Sequence, residues 1–223
     1  MAEDAVGRVR ERVAAAARRS GRRPADVRIV AATKYADVAA IEEAAAAGIR
    51  EFGENRARDL ERKAAAVGAE VVWHYLGAIQ TNKIRFLERA VLLQGLYRER
   101  EAQALQAHGE RSGRAFDVLV EVNVAQESSK QGIAPTEVEG FLDRLEPYPL
   151  VRPRGFMFVA PQAENPEDVR WVFAEGRRLR ERFESRGLCE LSMGMTDDYE
   201  VAIEEGATIV RIGRAIFRPG VAS

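Results

Sequence analysis

Eight short runs of β-branched or apolar residues, each followed by a stretch of helical periodicity, pass in strict alternation through this 223-residue chain. They are Val27–Ala32, Arg50–Phe52, Val71–Tyr75, Val91–Gln94, Asp117–Val124, Arg154–Val159, Glu190–Ser192 and Thr208–Arg211. The fifth reads DVLVEVNV and is the clearest strand. The third and fourth are almost continuously apolar, as expected of strands buried on both faces. Alternation of this kind predicts parallel strands joined by crossover helices. Eight units closing on themselves predict an α/β fold, the (β/α)8 TIM barrel. One barrel takes about 200 residues or more, so residues 1–223 read as a single domain. A doubly wound open sheet competes, but no G-x-G-x-x-G follows the first strand.

Val6, Val9 and Val13 place an extra N-terminal helix ahead of the first strand. Asp37 is a candidate N-cap, with Gly48 at the far end of its helix. Leu60, Ala64 and Val67 lead to Gly68. Thr81 is expected to cap a helix through Arg89, and Thr136 with Glu139 has the pattern of a capping box. Asn165–Pro166 opens a long helix closing near Gly187. Thr196 is expected to cap a short one ending near Gly206.

Charge and composition exclude several classes. The 34 basic and 35 acidic residues leave a net charge of −1, which argues against a general nucleic-acid partner. The arginines between Arg8 and Arg23 are interleaved with Glu11 and flanked by Glu3, Asp4 and Asp26, and read as a solvated helix face. No run of about 18 apolar residues offers a membrane span. The N-terminus has no apolar signal core, and its acidic residues argue against a transit peptide. One cysteine, Cys189, cannot form an internal disulfide, which favours a cytoplasmic protein. His74 and His108 are not at metal-ligand spacing, and a lone cysteine builds no zinc site. No metal is expected.

Only four basic residues are lysine: Lys34, Lys63, Lys83 and Lys130. In a chain this rich in arginine, a retained lysine marks a place where an amine able to lose its proton could matter.

In a barrel of this type the chemistry sits at the C-terminal strand ends. Lys34 follows the first strand. Partial burial there would lower its pKa and allow its amine to attack an aldehyde; a snorkelling surface lysine is the plainer reading. Ser192, Gly194 and Thr196 after strand seven, with Gly213 after strand eight, could form a phosphate site, since backbone N–H groups at a helix start favour anions. A plain turn and cap would use the same residues. Arg211, pointing inward from strand eight, needs a partner: a phosphate, a carboxylate such as Glu51 or Glu121, or a ring nitrogen. Asp197–Asp198 reads as an acidic first helical turn, and Met157, Met193 and Met195 as packing.

Seven motifs go further: Ala32–Thr33–Lys34, Phe52–Gly53–Glu54–Asn55, WHYLGAIQTNK from Trp73 to Lys83, SSKQGI from Ser128 to Ile133, Gly155–Phe156–Met157, LSMGMTDD from Leu191 to Asp198, and RIGRAIF from Arg211 to Phe217. From about Val6 to Phe217 the chain closely resembles the pyridoxal-phosphate homeostasis protein family, relatives of the N-terminal barrel of alanine racemase. The resemblance implies a cofactor, pyridoxal 5'-phosphate, held as an internal aldimine by Lys34. It places Asn55 beside the cofactor and implies that Ser192, Thr196, Gly213 and Arg214 hold the phosphate. Arg211 would face the pyridine nitrogen, while His74 and Met157 belong to the matching motifs. Lys130 matches a second family lysine. Three positions depart from the pattern: Ala78 in place of a proline, Arg214 in place of a small hydroxyl residue, and Arg218 after Phe217 in place of a glycine.

Likeness to a racemase barrel does not establish racemase activity. Racemisation needs a base on each face of the α-carbon, and by resemblance the second comes from a further domain and a partner subunit. The chain runs about a dozen residues past strand eight. The resemblance therefore implies a non-catalytic, monomeric carrier in pyridoxal-phosphate homeostasis or delivery, with apo pyridoxal-phosphate enzymes as recipients. A small racemase-like pyridoxal-phosphate enzyme and a Schiff-base aldolase are the alternatives.

Overall fold

The computed structural model describes residues 2–127 and 130–217. Ser128, Ser129 and Arg218 lie outside the described residues. Eight parallel strands close a barrel in sequence order: β1 (Arg28–Ala32), β2 (Glu51–Glu54), β3 (Val72–Ala78), β4 (Ala90–Leu96), β5 (Phe116–Val122), β6 (Val151–Phe158), β7 (Glu190–Ser192) and β8 (Ile209–Ile212). Val30 of β1 is level with Glu51 of β2 on one side and Arg211 of β8 on the other, which seals the ring. The helices are α1 (Ala2–Arg19), α2 (Val38–Ala46), α3 (Ala57–Ala66), α4 (Glu99–Ser112), α5 (Val138–Leu145), α6 (Arg170–Phe183), α7 (Tyr199–Glu204) and α8 (Arg214–Phe217).

α1 forms because its apolar residues recur at helical spacing: Ala5, Val6, Val9, Val13, Ala16 and Ala17 are all buried. Each buried valine contributes about 1.5–3 kcal/mol of transfer free energy. The helix lies against α2, α7 and α8. Its arginines bind the neighbouring helix: Arg12 is 2.5 Å from Glu200, and Arg19 is 2.8 Å from Glu204.

Helix starts depart from the expected caps at Thr81, Thr136, Thr196 and Asn165, the last capping a 3₁₀ turn, Pro166–Val169, ahead of α6. Asp37 caps α2 by accepting the Ala40 N–H, as its position predicts. Thr81–Leu87 is instead a 3₁₀ helix. Thr136 lies within a 3₁₀ turn, Pro135–Glu137, and α5 begins at Val138. α7 starts at Tyr199 with Asp198 as its N-cap residue, so Thr196 is no cap. Burial on both faces also fails at the starts of two strands, where Val72 is 39% and Val91 51% exposed.

Because side chains alternate along a strand, the barrel interior is filled by one residue set. Val30, Leu92, Leu119, Met157 and Ile209 form their own buried cluster there, separate from the larger core between sheet and helices. Ion pairs gather at the N-terminal strand ends: Arg28 is 2.7 Å from Glu190, and Asp117 is 2.8 Å from Arg152 and 3.1 Å from Arg154. Chemistry is left to the opposite face, the mouth. Among the described residues no helix is long and apolar enough to cross a membrane, and no group of three His, Cys, Asp or Glu side chains could hold a metal.

Candidate functional site

Lys34 occupies the turn just past β1, beyond the last paired residue, and it is exposed. The half-buried setting expected from sequence is therefore corrected: burial does not desolvate this amine. Its Nζ lies 5.0 Å from the centre of the Tyr35 ring. The backbone beneath it is fixed from inside. Buried Thr33 donates its hydroxyl to Glu54 Oε2 at 2.9 Å. Lys63, on α3 and also buried, lies 2.5 Å from the same oxygen and donates to the Thr33 carbonyl at 2.7 Å. Glu54 Oε1 accepts the N–H groups of Asn55 and Arg56 at 2.7 and 3.2 Å. One buried ion pair thus fixes both strand ends, with exposed Lys34 and Asn55 above it.

The loops after β7 and β8 form the next part of the mouth. Gly194 has a left-handed backbone, φ +90°, and a Cβ there would lie 2.6 Å from that of Ala202. Only glycine allows this turn to close so tightly. The Asp198 carboxylate accepts the Met195 N–H at 2.6 Å. This leaves the half-exposed Thr196 hydroxyl without a hydrogen bond among the described residues. Gly213 follows β8, and a Cβ on it would meet the Ala32 carbonyl oxygen at 3.2 Å, so this loop abuts the end of β1. Arg214, where the resemblance led to a hydroxyl residue, forms an ion pair with Asp197 and ties the two loops together.

Arg211 is the buried cation of the site, 7% exposed. Its direct partners are neutral: it donates to Ser192 Oγ at 2.7 Å and to the Phe158 carbonyl at 2.7 Å. Burial pushes its pKa down to about 10, against the opposing pull of Asp198 and Glu121. It therefore stays charged near neutral pH, with no carboxylate in direct contact among the described residues. Glu121, on the strand that pairs with β6 at Met157, is pushed up to about 7 by burial, while Arg211 draws it down. Burial also raises Asp198, against the Met195 N–H and Arg211.

The fold brings Lys34, Asn55, Thr196, Gly213 and Arg214 to the mouth, with Arg211 below. Ser192, His74 and Met157 are not at its surface. Ser192 is fully buried, and its hydroxyl donates to Gln94 Oε1 at 2.6 Å. His74, also fully buried, lies between Gln94 and Glu51. Met157 is 3% exposed within the interior cluster. Lys130 reaches toward the Val159 carbonyl at 3.5 Å and Glu127 at 3.3 Å. Sequence reasoning gave Gln94 no role, named Glu54 only within a motif, read Asp198 as part of an acidic first helical turn, and read Glu121 only as a partner for Arg211. The available signal was a polar residue interrupting an apolar strand, as Gln94 ends the run VLLQ.

Chemically, the mouth offers an exposed primary amine for a carbonyl carbon, two tight loops with a nearby arginine for an anion, and a buried guanidinium lacking a direct counter-ion. These features suit a phosphorylated aldehyde.

Comparison with known proteins identifies the family and the fold. Residues 6–219 match the family described as alanine racemase, N-terminal domain. The chain is 38% identical over 217 residues to the pyridoxal phosphate homeostasis protein of Aquifex aeolicus, covering 95% of each. Among solved structures, a protein of unknown function from Bifidobacterium adolescentis superimposes with a TM-score of 0.90 at 33% identity, covering 97% of this chain and 94% of its own. PipY of Synechococcus elongatus, solved with PLP bound, superimposes with a TM-score of 0.81 at 31% identity, covering 94% and 99%.

Proposed function

Because the chain belongs to the pyridoxal phosphate homeostasis protein family, with the barrel of the alanine racemase N-terminal domain, we propose that it binds pyridoxal 5'-phosphate at the barrel mouth and takes part in intracellular homeostasis or delivery of that cofactor. One observation carries the reading. Exposed Lys34 follows β1, the strand adjoining β8, and β8 supplies both buried Arg211 and the Gly213 loop. Amine, anion loop and buried cation thus share one rim.

Lys34 would hold the aldehyde as an aldimine, its neutral Nζ condensing with the carbonyl carbon and one water leaving. Thr196, with the backbone around Gly213 and Arg214, would hold the phosphate. Arg211 would face the ring nitrogen; having no acceptor of its own, it disfavours a protonated ring. The proposed protein is a monomeric, cytoplasmic single barrel that keeps reactive aldehyde bound and gives it up to apo-enzymes, without turning over amino acids.

Borohydride reduction followed by peptide mass spectrometry tests this directly. The expected product is a pyridoxyl-phosphate adduct on Lys34. A Lys34 that remains unmodified after pyridoxal phosphate is added would overturn the proposal. Deuterium exchange at the α-carbon of amino acids separates carrier from enzyme: the carrier gives exchange no faster than free cofactor, whereas rapid stereospecific exchange identifies a racemase-like enzyme.

A further inference from the structure

Five buried or half-buried side chains form a line through the barrel interior, and chemistry fixes the direction of every hydrogen bond along it. Arg211 can only donate, so Ser192 Oγ, 2.7 Å away, must accept. The Ser192 proton is then free to go to Gln94 Oε1 at 2.6 Å. This places the Gln94 amide nitrogen 3.0 Å from His74 Nδ1. Nδ1 is therefore the bare nitrogen of a neutral ring, and the ring proton sits on Nε2. His74 Nε2 lies 2.9 Å from Glu51 Oε2, a close contact in which neither atom completes a hydrogen bond among the described residues.

The same assignment follows from the other end. An ionised carboxylate only accepts, so Glu51 demands the proton on Nε2. Burial raises the Glu51 carboxyl, but its interactions with His74 and the charge of Arg28 outweigh this and hold it below its ordinary range. Turning the Gln94 amide over would leave the Ser192 proton without an acceptor and require a second proton on His74. Only one arrangement gives the Ser192 hydroxyl, the Gln94 amide and His74 Nδ1 a partner each with a neutral imidazole.

We infer that Gln94 and His74 are positioning residues for Arg211, acting through Ser192 in a chain of hydrogen bonds donated from Arg211 toward His74, whose far nitrogen faces Glu51. Such chains polarise in one sense inside a low-dielectric interior, each bond strengthening the next. The chain turns its negative side to the guanidinium, so a buried cation is stabilised without a carboxylate touching it. A second Arg211 bond, to the Phe158 carbonyl, stops the guanidinium from swinging. Arg211 is thereby held still and left able to act on a ligand above it. Its action on a pyridine nitrogen rests on the proposed function; the positioning itself does not.

The test uses the ¹⁵N-labelled full chain without ligand. The protein has two histidines, so its ring-nitrogen spectrum is simple to assign. His74 is expected as the neutral Nε2–H form, and the Arg211 Nη signals as separately resolved lines. In Gln94→Glu, a carboxylate faces Nδ1, and both His74 ring nitrogens should move to the protonated range. In Gln94→Leu, the chain is cut and the Arg211 Nη signals should merge. An Nδ1–H tautomer in the wild type, or Gln94→Leu lines identical to those of the wild type, would overturn the inference. Should Gln94→Leu fail to fold, the wild-type tautomer and Gln94→Glu decide alone. A second arm loads wild type and Gln94→Glu with pyridoxal phosphate. With Lys34 still labelled by borohydride, the absorption band should shift in Gln94→Glu, and an unmoved band would overturn the role toward the ring. A wild type that takes up no cofactor would sink the proposed function, while the nitrogen spectra would still decide the chain.

Discussion

The Lys63 ammonium lies 2.5 Å from Glu54 Oε2 and 2.7 Å from the carbonyl oxygen of Thr33, so one buried cation joins two neighbouring strand ends immediately before Lys34. Removing one member leaves the other buried and uncompensated. Lys63→Met is expected to cost about 3–5 kcal/mol, read by urea unfolding. The double variant Lys63→Met/Glu54→Leu should recover much of that loss, because an apolar pair of similar volume replaces both charges. A double variant no more stable than the single one would show that the cation is needed for more than charge balance.

Glu121 predicts a pH dependence. Its carboxyl is raised to about 7 in the folded protein, chiefly by burial. The folded state therefore binds the proton more tightly than the unfolded chain. Stability is expected to fall as pH rises from the ordinary carboxylate range through about 7, and the loss is complete above it. Asp198, also raised, acts in the same sense. Glu121→Gln should flatten this slope and stabilise the protein at pH 8 by up to about 3 kcal/mol. Unfolding curves at pH 5 and pH 8 check it; an equally steep slope in the variant would assign the effect elsewhere.

Arg214 and Asp197 give paired predictions of opposite sign. Their ion pair is exposed, 39% and 52% for the two side chains, so Arg214→Ala should change stability by no more than about 1 kcal/mol. Inorganic phosphate affinity should nevertheless fall roughly fivefold to tenfold. Asp197→Asn frees the guanidinium and should tighten phosphate binding. Calorimetric titration at two salt concentrations measures both, and the Arg214→Ala affinity should depend less on salt.

Lys34→Ala is expected to leave the fold nearly untouched, because an exposed side chain is removed. A change within about 0.5 kcal/mol is the expected range for such a site. The same variant should lose the bound-cofactor absorption and the borohydride adduct. A variant that keeps a full-strength adduct at another lysine, with Lys130 the first to inspect, would move the anchor from Lys34.

The barrel was legible because its signal is local. Runs such as DVLVEVNV report a strand through adjacent residues, and eight repeats of the pattern leave few topologies. Boundaries yielded to tertiary pairing. β6 begins at Val151, before Pro153, because its first residues pair with β5 and the proline lies beside a register shift. β3 runs to Ala78 through Gly77, where a Cβ would come within 2.2 Å of the Asn55 carbonyl oxygen. Thr196 looked like a cap because it precedes a helix, yet Asp198 holds the Met195 N–H. The link from His74 through Gln94 to Ser192 was invisible, since its members come from three separate strands. The scarcity of lysine did point to Lys63, but the chemistry there is bracing rather than reaction.

Finally, the barrel's interior is packed solid. Val30, Leu92, Leu119, Met157 and Ile209 fill its waist, and the ion pairs around Arg28 and Asp117 gather at its base. Traffic through such a vessel has a single door. Whatever enters over the rim must leave the way it came. In the proposed carrier, release would then be a handover rather than a leak, paced by how often a competing amine reaches the rim.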